Sequence, residues 1–212
     1  VGESGAGKST IGNAIVNLLE PPGEITTGEV LFKGQDLRNL DDKEMRDVRG
    51  KKIGMIFQDP QTSLNPLMTI GAQLIETINK TINLYGSEAT NKAIELLESV
   101  GIDEPEARLN LYPHQFSGGM RQRVVIALAL AGEPDLIIAD EPTTALDVSI
   151  QAQILDLIKK LCQERQVGVI IITHDIGVIA NISDRVTVMF NGQAVESLSL
   201  IHISEPTRRT II

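Results

Sequence analysis

Apolar residues fall into two kinds of pattern along this chain. Between about residues 67 and 131 they recur at helical spacing. Ile70, Leu74 and Ile78 repeat every fourth position, and Ala93, Leu96, Leu97 and Val100 repeat at i+3, i+4 and i+7, which places each set on one helix face. Gly101 follows as a C-cap. Ser117 is placed to cap a further helix through Met120 to Leu130, rich in Ala, Leu and Val.

On either side of this stretch the apolar residues come in short runs. GEVLF (28–32, followed by a turn over Lys33 to Asp36), KKIGMIF (51–57), DLIIA (135–139), VGVIIIT (167–173) and the run 185–190 all read as strands. VGVIIIT is continuously apolar, as expected when both faces of a strand are covered. Helices are expected from Thr10 to Leu19, from Asp175 to Asn181, and from Ser149 to Leu161 with Ile150, Ile154, Leu157, Ile158 and Leu161 on one face. This alternation predicts an α/β fold, a largely parallel sheet flanked by helices. The expected organisation is a core of residues 1–66 and 132–197, an inserted α-helical subdomain over 67–131, and a tail over 198–212. The tail, Leu198 to Arg208 and beyond, fits no strand or helix the fold needs. It reads as translated sequencing-adaptor sequence, to which no function is assigned, His202 included.

Composition narrows the picture. The 212 residues allow one large domain or one and a half. Hydrophobic residues are 42% and charged residues 22%, ordinary for a water-soluble chain. A net charge of −9 argues against nucleic acid as a partner. No apolar run approaches the ~20 residues of a membrane span, and no signal peptide is visible. Cys162 is the single cysteine, so no internal disulfide can form. It sits among Leu157, Ile158 and Leu161, so a buried helical position is expected, in a cytosolic compartment.

The candidate chemistry begins at the first residues. Gly2-Glu3-Ser4-Gly5-Ala6-Gly7-Lys8-Ser9 matches G-x-x-x-x-G-K-[ST], the phosphate-binding loop of P-loop NTPases. Its backbone N–H groups form an anion nest, and glycines at 2, 5 and 7 allow positive φ and close approach of phosphate. Lys8 brings a point charge to the β- and γ-phosphates. Ser9 offers a hydroxyl to Mg²⁺, and the helix opening at Thr10 adds partial positive charge. Only Val1 precedes the loop, so the strand expected to feed it lies outside this sequence. A second motif closes the strand DLIIA. Asp140 stands where a phosphate site holds Mg²⁺, and Glu141 is placed to polarise an attacking water. A solvent-facing acidic pair is the alternative, disfavoured beside a complete phosphate loop.

Further along, Phe116-Ser117-Gly118-Gly119-Met120-Arg121-Gln122-Arg123 resembles the signature of ATP-binding cassette (ABC) ATPases. An ordinary Ser-Gly-Gly cap would be the reading if it stood alone. The resemblance implies that Ser117, Gly118, Gly119 and Gln122 of one subunit close over the nucleotide held by another. By the same resemblance, Gln58 matches the Q-loop glutamine that contacts Mg²⁺ or the attacking water. Ala145-Leu146-Asp147 matches the D-loop of the dimer interface, and His174 the histidine that reaches the γ-phosphate. The likeness covers residues 1–196. The segments Ile56-Phe57-Gln58-Asp59-Pro60, Thr62-Ser63-Leu64-Asn65-Pro66 and Tyr112-Pro113-His114-Gln115 narrow it to the peptide/nickel importer branch.

That branch implies an ATPase using ATP and Mg²⁺ to drive uptake of di- or oligopeptides. Its expected partners are a second ATPase subunit, identical or paralogous, two membrane-spanning permease subunits, and indirectly an extracytoplasmic solute-binding protein. Its expected place is the cytoplasmic face of the membrane. Nickel or another solute is the alternative cargo. The aromatic residue that stacks on adenine in the family lies upstream of the phosphate loop and so outside this sequence, as does the branch's C-terminal extension. A soluble ABC ATPase acting on DNA or ribosomes is the reading from another class; it lacks the long coiled coils or tandem cassettes such proteins carry. A third expectation is that the piece folds or binds nucleotide poorly by itself, because a sheet edge is left open.

Overall fold

The structure, a computed structural model, describes residues 1–144, 146–175 and 182–199. The helix expected over 175–181 and the tail beyond residue 199 lie outside the described residues, apart from Asp175.

Three strands form the centre: β3 (Ile53–Ile56), β4 (Leu136–Asp140) and β5 (Gly168–Ile172). They pair in the order β3-β4-β5, all parallel, with Ile56 beside Ala139 and Ala139 beside Ile171. The side-chain alternation of a strand decides what each face packs against. Ile56, Ile137 and Ala139 turn towards one hydrophobic cluster, and Ile53, Ile138 and Ile172 towards another. Ile137 and Ile138 are at most 1% exposed, and a fully buried isoleucine contributes about 1.5–3 kcal/mol.

The first cluster joins the sheet to the helical region. There α4 (Ile70–Ile82), α5 (Gly86–Ser99) and α7 (Gly118–Leu130) pack on one another, with the short α3 (Pro60–Ser63) on α7, the short α6 (Pro105–Arg108) on α5, and α8 (Val148–Arg165) across α7. Ile70, Leu74 and Ile78 are fully buried, as are Ala93, Leu96, Leu97 and Val100, so the helical spacing read from the sequence is the packing face. Thr69 caps α4 by accepting from the Ala72 N–H, and Gly101 takes left-handed φ after α5. Cys162 is buried in this cluster, and burial pushes its thiol up.

The second cluster covers the opposite face. It includes Val16, just after α1 (Lys8–Ile15), and Met45 and Val48 of α2 (Asp42–Val48). The α2 helix is absent from the sequence reading. It starts with a reciprocal capping box between Asp41 and Glu44. Helix α1 stops at Ile15 rather than Leu19, because Asn17 turns to φ 51°.

Three strand expectations change. GEVLF yields only β1 (Leu31–Phe32), which folds back antiparallel on β2 (Gln35–Asp36), a segment read as turn. The strand over 185–190 is β6 (Arg185–Phe190), but it joins β7 (Gln193–Ser199) in an antiparallel hairpin outside the central sheet. Leu198 and Ser199, assigned to the structureless tail, pair with Val186 and Arg185. All seven residues of β7 are exposed, so there was no burial pattern to read. Finally, β5 is not covered on both faces: Ile170 is 39% exposed.

The contact between α7 and the sheet is close enough to demand a missing side chain. A Cβ built on Gly54 of β3 would stand inside the van der Waals envelope of the Ala129 carbonyl oxygen. Gly54→Ala is therefore expected to destabilise the fold by about 1–3 kcal/mol, the usual range for overpacking, measured as a lower urea midpoint at unchanged slope.

Candidate functional site

Parallel strands deliver their C-terminal ends to one edge of a sheet, and ligands collect there. Gln58 follows β3, Asp140 and Glu141 close β4, and Thr173 and His174 follow β5. Helix α1 packs on β4 and β5, which brings the phosphate loop to the same edge.

Gly5 and Gly7 adopt φ of 83° and 84°, the left-handed region where a side chain is costly. Gly2 meets a different demand: a Cβ there would collide with the Met189 carbonyl of β6. The Gly192 N–H donates to the Ala6 carbonyl at 3.2 Å, so the β6–β7 turn braces the loop from outside. Glu3, Ser4, Gly5 and Thr10 are exposed. Lys8 is only 7% exposed. Its Nζ donates to the Gly2 and Glu3 carbonyls at 2.8 and 2.7 Å, which folds the ammonium over its own loop.

Ser9 Oγ donates to Asp140 Oδ1 at 2.9 Å. Burial is the largest influence on Asp140 and holds its carboxyl above the usual range. The Ser9 hydrogen bond and the Lys8 cation pull it down, and the Glu141 charge pushes it up. Among the described residues no three His, Cys, Asp or Glu side chains form a cage for a metal ion. A hydroxyl beside one carboxylate is the donor set that fits Mg²⁺ shared with phosphates and water. The amide oxygen of Gln58 is a further oxygen on the same edge.

Glu141 behaves differently from its neighbour. Its backbone takes φ 44°, and its N–H donates to the Ile172 carbonyl at 2.9 Å. Its carboxylate is gripped from three directions. Oε2 accepts from Gln58 Nε2 at 3.1 Å and from Thr144 Oγ1 at 2.8 Å. Oε1 lies 3.1 Å from His174 Nδ1. Partial burial alone would raise the Glu141 pKa. The Thr144 hydroxyl, His174 and the Lys8 charge outweigh it and hold the carboxyl below its ordinary value. Two adjacent carboxylates with opposite shifts are the environment-made division of roles expected in a reaction site.

A cleft of about 1040 Å³ opens here, lined by Gly2, Glu3, Ser4, Gln58, Glu141 and His174, with apolar residues of β6 and β7 as its other wall. Thr144 also lines it and was missed in the sequence. The signal was present: a hydroxyl three residues after Glu141, in the turn that must redirect the chain.

None of the signature residues lines this cleft. Ser117 caps α7, its Oγ accepting from the Met120 N–H at 3.3 Å, and both Ser117 and Gly118 are exposed. Leu146 and Ile150 lie against Gly118 and Gly119, so the expected D-loop and the signature adjoin. Ala145 lies outside the described residues. Asp147 is exposed at the start of α8 and makes no side-chain cap. Gln122 departs from expectation. It is 1% exposed, with an unpartnered Nε2, so within this chain it is packed among the contacts of α7.

Comparison with known proteins agrees with this geometry. The ABC transporter family model matches residues 1–144. The chain is 59% identical over 198 residues to the oligopeptide transport ATP-binding protein OppD of Bacillus subtilis (strain 168), covering 93% of this chain and 55% of that protein. It is 49% identical to the dipeptide transport ATP-binding protein DppD of Escherichia coli (strain K12), covering 93% and 60%. The chain thus spans little more than half the length of these relatives. Among solved structures, the dimeric post-hydrolysis state of the ATP-binding cassette MJ0796 bound to ADP and Pi superimposes with a TM-score of 0.79 at 36% identity, covering 94% of this chain and 83% of that one. A complete phosphate loop facing Asp140, Glu141 and His174 across one sheet edge, a separate signature helix, and these likenesses together place the chain in the ABC transporter family.

Proposed function

We propose that this chain is the ATP-hydrolysing part of an importer for di- and oligopeptides, acting at the cytoplasmic face of the membrane. The observation that carries the hydrolytic reading is the Glu141 carboxylate, held by Gln58, Thr144 and His174 beside the Ser9–Asp140 pair. The names of the relatives, oligopeptide and dipeptide transport ATP-binding proteins, support the cargo. Movement of a solute is assigned to two separate permease subunits, the partners that the resemblance to the importer branch implies.

ATP is the substrate. Its phosphates enter the nest of Gly2 to Ser9, and the Lys8 ammonium exchanges backbone carbonyls for phosphate oxygens. Ser9 and Asp140 would hold Mg²⁺, which would neutralise phosphate charge and relieve the cost of burying the Asp140 carboxylate. Glu141 accepts a hydrogen bond from the attacking water and draws off its proton as the γ-phosphate is released. Gln58, Thr144 and His174 fix the carboxylate, and Thr144, His174 and the Lys8 charge keep it ionised. The exposed signature at Ser117 to Gly119 supplies backbone N–H groups at a helix N-terminus to the nucleotide of a second subunit, identical or paralogous. Closure of that dimer on ATP and its release after hydrolysis would move the permeases.

Two outcomes test this reading in the assembled transporter. Glu141→Gln is expected to lower kcat by about 100-fold or more, the usual weight of a general base, while equilibrium ATP binding is retained; undiminished turnover removes Glu141 from that role. Ser117→Arg is expected to leave ATP binding to the phosphate loop intact but to abolish both ATP-dependent dimerisation, read by light scattering, and turnover. Normal dimerisation in that variant would sink the shared-site reading.

A further inference from the structure

The β6–β7 hairpin lies outside the central sheet, yet its tip rests on the phosphate loop. Phe190 pairs with Gln193, so the turn between the two strands is Asn191 and Gly192. Both take left-handed φ, 46° and 77°, as the two-residue Asn-Gly turn of a hairpin requires. The closing pair uses its own backbone groups, which leaves the Gly192 N–H outside the ladder. That N–H donates instead to the Ala6 carbonyl at 3.2 Å. A bulge lies just below the turn. Val188 pairs with Glu196 and Met189 with Ala194, so Val195 has no opposite residue. Bulges bend a hairpin and re-aim its end, commonly beside a reaction site.

The grip sets the orientation of one peptide plane in the loop. The bond from Ala6 to Gly7 is trans, so its C=O and N–H point to opposite sides. The Ala6 carbonyl faces the hairpin, outside the loop, and the Gly7 N–H therefore faces the interior. Among the described residues nothing in the chain accepts from that N–H. The two backbones also touch: a Cβ built on Gly7 would lie 3.7 Å from the Gly192 Cα. At position 192 itself the demand is conformational and not steric. A Cβ there would meet nothing within 4 Å, so asparagine, which tolerates left-handed φ, fits the same turn.

We propose that Gly192 is a positioning residue for nucleotide binding: its N–H anchors the Ala6 carbonyl outward and so presets the Gly7 N–H towards a bound phosphate. On the reading of Gly2 to Ser9 as a phosphate nest, on which this rests, the nest does not set its own geometry. One of its donors is aimed by a hairpin turn from the far end of the chain. That donor meets the phosphate alike before and during its transfer, so its loss weakens binding and leaves the chemical step unchanged.

The test lengthens the turn by one glycine between Asn191 and Gly192, in the assembled transporter. A three-residue turn still closes a hairpin, but it carries the N–H away from Ala6. KM for ATP is expected to rise about tenfold, the weight of one hydrogen bond to a charged group, while kcat stays within about twofold. Gly192→Asn, which keeps both the N–H and the turn, is expected to hold KM within about twofold of the parent. A merely structural role would lower kcat with the active fraction and leave KM alone, and that pattern overturns the proposal. An unchanged KM in the lengthened turn overturns it too, as does a Gly192→Asn chain that binds as weakly as the lengthened one. Lys8→Ala probes the phosphate nest separately. If it weakens ATP binding and the lengthened turn does not, the nest stands and the role of Gly192 falls; if it binds ATP as tightly as the parent, both fall.

Discussion

The register of three parallel strands governs this molecule. Because β3, β4 and β5 run the same way and pair without offset, Ile56, Ala139 and Ile171 lie side by side. The next residues of each chain segment then emerge at one edge. Gln58, Glu141 and His174 lie far apart in sequence, yet they meet there within hydrogen-bond distance. A register slip of one residue in β4 would turn Ile137 and Ile138 to the wrong clusters and would also part Asp140 from Ser9. Packing of the two hydrophobic clusters and assembly of the site are therefore one constraint.

That constraint produces unlike neighbours. Asp140 is the last residue of β4 and remains in the buried register, so desolvation dominates it. Glu141 takes left-handed φ, leaves the strand, and swings its carboxylate to three partners. Strain at a single non-glycine residue costs of order 1–3 kcal/mol, and here it accompanies a charge held ready rather than suppressed. The backbone bond from Glu141 to Ile172 keeps β5 aligned at the point where the chain turns away.

Much of this was legible in the sequence, and the rest was not for physical reasons. Helices α4, α5 and α7 announced themselves because their buried faces follow the helical period. The phosphate loop, Asp140 and His174 could be placed because motif and strand end coincide. Helix α2 was not legible because only Met45 and Val48 of its seven residues are buried; its signal was the Asp41–Glu44 capping box. Strand β7 offers no alternation at all. The burial of Gln122 was not legible because sequence adjacency to Ser117 says nothing about helix face: the cap faces water, and a residue five positions on turns into the α7 contacts. The apolar run of β5 was read correctly as a strand but not in its burial, because an apolar run does not tell a covered face from an open one: Ile170 is 39% exposed.

The separation of the two proposed anion-binding elements is the remaining consequence of the fold. The phosphate loop ends in α1, whose helix packs on the sheet, and the signature opens α7, whose helix belongs to the helical cluster. Both present helix N-termini, and each favours anionic oxygen. The two lie on different parts of one packed core: α7 contacts β3 as well as α4 and α5, and Gly54 of β3 lies close against the Ala129 carbonyl. Because the two helix N-termini belong to different packed elements, the proposed shared site joins the phosphate loop of one chain to the signature of another rather than the two ends of one chain.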